Sequence, residues 1–321
     1  MENRILNIIN NLTAFNKKAY KKKDMLKELL KIEKQMVREL PELSTEYSSP
    51  NIHNAVNYFK AMNDRLDNVC DAELEEFTKL TCDYNNRVAV EISGIEGEKR
   101  ASKSLETIKR PCRLLKNVEL KFEGHITEID ILAITNSGIF IIEVKNSTKD
   151  IIIDEKGNYH RISKNGDHIF DKNIGVQMNE KEYILRNVLK KAGYDNIAIQ
   201  SLVVFTNSEI NVVNNYPYIK ECSLNTLPHI IEEYQGLEQY AIQKIFKLMD
   251  VIVKAQSKDL WPVRMNISAY KTAFATLLVK LQMAEEKKEA EAKRIFRRIA
   301  SFLGSLVRKT VKAVCFITAN I

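Results

Sequence analysis

At 321 residues, with 45% apolar and 28% charged side chains, the chain is long enough to bury a sizeable core and has the make-up of an ordinary globular protein. Five cysteines (Cys70, Cys82, Cys112, Cys222, Cys315) lie far apart, form no CxxC pair and are odd in number, which argues against a disulfide framework or a zinc knuckle. The opening Met1-Glu2-Asn3-Arg4 runs into a lysine-rich stretch rather than the apolar core of a secretory signal, and no run reaches the roughly 18 apolar residues of a spanning helix, so a cytoplasmic chain is expected.

From Ala292 onward seven basic residues (Lys293, Arg294, Arg297, Arg298, Arg308, Lys309, Lys312) meet no acidic one, and they account for the whole net charge of +7. The excess is a property of the tail. It says little about whether the central region attracts phosphate.

Residues 1 to about 92 are predicted to be helical. Apolar residues recur at helical spacing at Ile5, Leu6, Ile8, Ile9, Leu12 and Phe15, and again over 25–40, until Pro41 stops the run. A second helical stretch is expected after Ser49-Pro50, and Leu74, Phe77, Leu80, Tyr84 and Val88 form a further stripe. The eight lysines within 17–34, set against Asp24, Glu28 and Glu33, suit either the solvated face of a helical hairpin or coiled coil, or a nucleic-acid contact.

Around Gly94 the character changes. A short helix over about 98–109 is expected before Pro111, followed by extended segments at 112–122, 126–135 and 138–145, the last two joined by the hairpin-turn chemistry of Asn136-Ser137-Gly138. Short strands are expected at 151–153 and 159–163, a helix over 174–192 ended by Gly193, and an apolar strand over 197–205. That order predicts an α/β sandwich with a mixed central sheet. Helices are expected over 224–234 and 237–255, with a long one from about 267 onward.

The strand Ile126-Thr127-Glu128-Ile129-Asp130-Ile131-Leu132 and its successor Ile139-Phe140-Ile141-Ile142-Glu143-Val144-Lys145 are nearly continuous apolar runs, the mark of strands buried on both faces. Charges inside them need partners, because an unpaired buried charge costs several kcal/mol or neutralises. Alternation puts Glu128 and Asp130 on one side, and Glu143 and Lys145 on one side of the neighbouring strand. Carboxylates and a lysine converging there suit Mg²⁺ or Mn²⁺ and phosphoryl chemistry. A structural Asp–Lys or Glu–Lys pair near the sheet edge fits the same short pattern.

In order along the chain, Gly97-Glu98, Glu128-Ile129-Asp130, the run from Gly138 to Lys145 and Gln177 resemble the landmarks of the NERD family, the nuclease-related domains of the PD-(D/E)XK superfamily. The resemblance spans somewhat under half of the chain. It implies a restriction-endonuclease-like core flanked by helices, within boundaries of 1–92 (helical), 93–236 (nuclease-like) and 237–321 (helical with a basic tail). It also implies Mg²⁺- or Mn²⁺-dependent hydrolysis of DNA, with RNA left open. Asp130, Glu143 and Val144 would be the metal-binding positions, and Lys145 would orient or activate the attacking water. Glu98 would open the first helix and reach toward the site, or else be a first-turn glutamate favoured by the helix dipole. Gln177 and Glu128 would line the site or be satisfied polar groups at its rim. The family's Asn-Pro pair before the glutamine is Asn173-Ile174 here, which alters a helix start but removes no ligand, and Ile131 stands where the family often has histidine.

Arg161, Lys164 and Lys172, with Tyr159, His160 and His168, form a basic and aromatic stretch that suits phosphates and bases, or simply a solvated hairpin. His125, His160 and His168 are expected at surfaces or turns rather than as ligands. From Lys293 the apolar Ile295, Phe296, Ile299, Phe302, Leu303, Leu306 and Val307 recur at steps of three and four, with the cations largely on other faces. Residues 292–321 thus suit a second helix or subunit in a homo-oligomer, an anionic membrane surface, or a nucleic-acid backbone. A non-catalytic assembly or nucleic-acid-binding module is the competing reading of the whole chain.

Overall fold

The computed structural model describes residues 1–12, 22–48, 50–236, 238–257 and 266–318; Phe15, the lysines at 17–21 and the last residues of the tail lie outside them. In chain order the elements are α1 (Glu2–Asn11), α2 (Lys22–Arg38), the single turn α3 (Leu43–Glu46), α4 (Ile52–Arg65), α5 (Asp71–Leu105), β1 (Cys112–Phe122), β2 (His125–Thr135), β3 (Ile139–Lys145), β4 (Ile151–Ile153), β5 (Asn158–Ile162), β6 (His168–Asn173), α6 (Ile174–Lys191), β7 (Ile199–Phe205), β8 (Val212–Asn214), β9 (Lys220–Ser223), α7 (Thr226–Glu233), α8 (Ile242–Lys254) and α9 (Ile267–Thr318). They fall into two compact units, Ala89–Trp261 and Met1–Val88 with Pro262–Ile321.

In the first of these, the main sheet has the order β1-β2-β3-β7-β9. β1, β2 and β3 pair antiparallel, while β3 with β7 and β7 with β9 pair parallel, so the sheet is mixed. β2 and β3 take its interior because their aliphatic and β-branched side chains have no polar face to show to water. Leu132, Ile134, Ile139, Ile141 and Val203 pack on one side with Ile174, Met178, Ile184 and Leu185 of α6 and Ile245, Leu248 and Ile252 of α8. Ile131, Ala133, Phe140, Ile142, Leu202 and Val204 pack on the other with Ala101 and Leu105 of α5 and Leu227 and Ile231 of α7. Helices therefore flank a mixed central sheet. A smaller sheet, β6-β5-β4-β8, is built around the β5–β6 hairpin.

Four expectations are corrected here. The break near Gly94 is absent, since α5 runs unbroken through Gly94 and Gly97. A helical glycine costs about 1 kcal/mol, but a Cβ on Gly97 would come within 2.9 Å of Asn146 Cβ and 3.3 Å of Val144 Cγ1. Its lack of a side chain is what lets α5 lie close to the end of β3. The helix expected from 237 begins at Ile242, and its buried residues belong to the sheet's core, so the boundary expected after 236 falls beyond α8. β6, β8 and β9 were not expected as strands: β6 is exposed over most of its length, and the other two are three and four residues long.

The helical unit closes around Phe59 and Met62 of α4, Phe77 and Tyr84 of α5, and Tyr270, Phe274 and Leu277 of α9. Asn51 starts α4 with a capping box, its side chain accepting from the His53 and Asn54 amides while the Asn54 side chain accepts from the Asn51 amide. Ring centroids lie 5.6 Å apart for Phe59–Phe77 and 4.6 Å for Tyr84–Tyr270, in edge-on and tilted arrangements that suit the ring quadrupoles. Against this apolar packing stands Glu33 of α2. Its Oε1 is buried without a hydrogen-bond partner among the described residues, and burial pushes the carboxyl up to about 7.

A carboxyl raised in the folded state stabilises the fold fully below its unfolded value, and that contribution is lost as pH rises through about 7. Thermal melts of the full chain should therefore show Glu33→Gln matching the parent at pH 5 and exceeding it by a few degrees at pH 8. An equal difference at both pH values would mean that Glu33 is solvated.

Candidate active site

Ile131 faces Ile142, and Leu132 faces Ile141, in the β2–β3 ladder. One step further along, the same register sets Asp130 opposite Glu143. Glu143 and Lys145 follow Ile139 and Ile141 by two-residue alternation, so they face α6. Asp130 Oδ2 accepts from the Val144 amide at 2.8 Å, which ties the carboxylate to the neighbouring strand. Both carboxyl residues are interior, at 8% and 4% exposure.

The two strands do not alternate simply at this level. Leu115 and Val118 of β1, like Ile129 and Leu132 of β2, pack into the same core, although each pair is three residues apart. The ladder skips Asn117 and the facing Asp130 with no change of register, and the φ of 51° at Asn117 lies in the left-handed region that asparagine tolerates better than most residues. The expected sharing of one side by Glu128 and Asp130 through alternation is therefore interrupted, yet both carboxylates act on Lys181 of α6.

Lys181 is the residue that ties the cluster together. Only 2% exposed, it donates to Glu143 Oε2, while Lys145 donates to Oε1 and Gln177 Nε2 donates to the same oxygen at 3.0 Å. Burial alone would raise the Glu143 carboxyl, but Lys145 and Lys181 outweigh it and hold the group well below the usual carboxylate range. Lys181 is itself raised, because Glu143 and Asp130 together outweigh the burial that disfavours its charge. Lys172, at the end of β6, is pushed down to about 8, first by burial and then by the Lys145 ammonium beside it, against the opposing pull of Glu143.

α6 carries two of these groups to the site. Asn173 caps it, accepting from the Val176 amide at 2.7 Å, so the helix starts where the family's proline would stand and Ile174 fills the first turn. Gln177 and Lys181 then lie one turn apart on the inner face. Because Gln177 must turn its amide NH₂ to the carboxylate, its Oε1 is the atom left buried without a donor among the described residues.

The fold brings Asp130, Glu143, Lys145 and Gln177 to one place, around Lys181. Glu98 accepts from Asn117 Nδ2 at 2.8 Å, which places it against the left-handed residue of β1. It sits deep within α5 rather than opening a helix, so the first-turn, helix-dipole alternative for it falls away. Of the three expected phosphate contacts, Lys172 is drawn into the lysine cluster. Arg161 Nε lies 3.5 Å from Asp171 Oδ2, a loose ion pair, and Lys164 is exposed at the β5–β6 turn. His125 and His168 are exposed, and His160 lies 3.6 Å from Asp154. Lys181 was not singled out in advance, although a lysine within the buried stripe Ile174, Met178, Ile184, Leu185 and Val188 is the signal that marks it.

Residues 93–206 match the family model of the nuclease-related domain, NERD. No curated protein and no solved structure matches the chain. The matched segment begins within α5 and ends just past β7, so it holds the β2–β3 carboxylates, Lys145 and both α6 groups. By that match, residues 93–206 belong to the nuclease-related domain family and through it to the nuclease superfamily.

Proposed function

We propose that this domain hydrolyses phosphodiester bonds in DNA with the help of Mg²⁺ or Mn²⁺. The observation that carries the reading is a buried, ionised Glu143 opposite Asp130, held by two lysines and a glutamine whose own carbonyl oxygen has no donor among the described residues. A structural ion pair needs one cation. Here two ammonium groups and an amide converge on one carboxylate, which is the kind of preorganised charge that active sites hold.

The residues fit a hydrated divalent ion. Among the described residues no three His, Cys, Asp or Glu side chains form a metal-holding group, so a cage made of side chains alone is not on offer. Mg²⁺ does not need one, because it commonly takes one or two carboxylates and fills its other positions with water and phosphate oxygens. Asp130 and Glu143 would hold it, with the Val144 main-chain carbonyl, and the Gln177 oxygen would accept from its water. When bound, the ion would polarise the phosphoryl group and acidify water. Lys145 would neutralise charge gathering on the phosphoryl oxygens, while Lys181 and Gln177 keep Glu143 ionised and oriented. On the β5–β6 hairpin, Arg161 and Lys164 stand with the exposed Phe170, a set suited to phosphates and a base face.

The competing reading, a domain that binds nucleic acid without cutting it, draws on the fact that both Glu143 oxygens are already engaged by lysines. Activity separates the two. Glu143→Ala and Lys145→Ala should each lower Mg²⁺- or Mn²⁺-dependent cleavage of plasmid DNA by about a hundredfold or more while leaving DNA binding in place. A parent protein that binds DNA but cuts neither DNA nor RNA would support the binding module instead.

The ion pair has its own consequence for stability. Removing one partner of a buried pair costs about 3–5 kcal/mol, so Lys181→Met should lower urea stability by that order, and Glu143→Gln/Lys181→Met should recover part of the loss. Since the Glu143 carboxyl is depressed, its contribution is present above the ordinary carboxylate range and fades as pH falls. The acid limb of activity in Lys181→Met should accordingly move to higher pH. Additive losses in the double variant, with an unmoved acid limb, would remove Lys181 from this role.

A further inference from the structure

α9 packs into the apolar core of the helical unit through its first turns, and Glu285, Glu286 and Lys288 add polar contacts with Arg65, Arg4 and Asp67. Ile267, Tyr270, Phe274, Leu277, Leu278 and Leu281 are buried there, whereas from Gln282 to Leu303 every residue is exposed except the half-buried Ala284 and Glu285. The helix nevertheless continues to Thr318, roughly 50 Å further. Along this stretch Ile295, Phe296, Ile299 and Leu303 are 53–72% exposed. At about 100° per residue they fall within one arc of roughly 100°, and Arg294, Arg297 and Arg298, all exposed, lie on the other side.

Large apolar side chains aligned on a solvated helix call for a cover. Charge decides which. A second copy would bring two stretches together that each carry seven cations and no acid from Ala292 onward, with nothing to pair across the seam. A DNA backbone would take up the cations but leave the isoleucines, phenylalanine and leucine in water. The surface of a bilayer carrying anionic lipid satisfies both faces at once, with apolar side chains at the boundary of headgroups and acyl chains and arginines at the level of the phosphates. We infer that residues 292–318 dock this protein on such a surface. The helix would lie in the interface, for among the described residues no helix is long and apolar enough to cross a membrane.

The test is flotation of the full chain with vesicles of neutral phosphatidylcholine and of the same lipid mixed with anionic phosphatidylglycerol. Binding should be at least about tenfold stronger to the anionic vesicles and should weaken with salt. Phe296→Gln/Ile299→Gln and Arg294→Gln/Arg297→Gln/Arg298→Gln should each reduce it by about tenfold, with helix content by circular dichroism unchanged. Equal binding to both vesicle types, or either variant floating like the parent, would overturn the inference. So would a dimer in sedimentation that Phe296→Gln/Ile299→Gln dissociates, which would assign the apolar face to a second copy. Nuclease activity enters none of these readouts, so the inference stands or falls apart from the proposed reaction.

Discussion

A carboxylate enclosed by apolar strands stays ionised only where cations lie against it, and the sheet unit is organised around meeting that condition at Glu143. Lys145 comes from the same strand, two residues on, and Lys181 comes from the helix that covers that face. The helix can deliver its lysine because Asn173 fixes its start, which in turn sets the angular positions of Gln177 and Lys181. Uncompensated, a charge at this depth would cost several kcal/mol, a large fraction of an ordinary domain's stability. The cap, the helix register and the strand register are thus bound to one another through a single anion.

Asp130 reaches the same place by a different route. The left-handed Asn117 releases this level of the sheet from strict alternation, while the Val144 amide holds the aspartate to β3. Asn117 also holds Glu98 of α5. Gly97, one residue earlier on that helix, permits the close approach to Val144 and Asn146. One irregularity and one missing side chain therefore bring α5, β1, β2 and β3 to a common point.

Much of this could be read from the chain itself, for definite reasons. β1, β2, β3, β4 and β7 announce themselves through aliphatic runs bounded by turn residues, and the charges inside β2 and β3 stand out because their surroundings are apolar. Strands without an apolar face leave no such trace: β6 is exposed along most of its length, so neither alternation nor composition marks it. The continuity of α5 was hidden for the opposite reason. Gly94 and Gly97 look like a break by propensity, and only the tertiary approach of the helix to β3 gives Gly97 its purpose. Lys181 was visible in principle as a cation in a buried helical stripe, but its partner lies 38 positions earlier in the chain, where only the fold can bring it.

Charge divides the labour between regions. Because the basic tail accounts for the whole excess of the chain, the remainder is neutral and has no general field with which to draw phosphate. On the proposed reading, attraction at the candidate site must be local. Lys145, Lys172 and Lys181 there stand against Asp130, Glu143 and the nearby Glu128, so the cluster is close to balanced and can persist in a folded interior without exporting a charge. On the same reading, a divalent ion held by Asp130 and Glu143 would add positive charge where a phosphodiester would bind. Lys172, already pushed down to about 8, is the group best able to give up a proton and relieve the crowding. The lysines would then do two things in turn, keeping the carboxylates ionised in the folded domain and meeting the phosphate when it arrives.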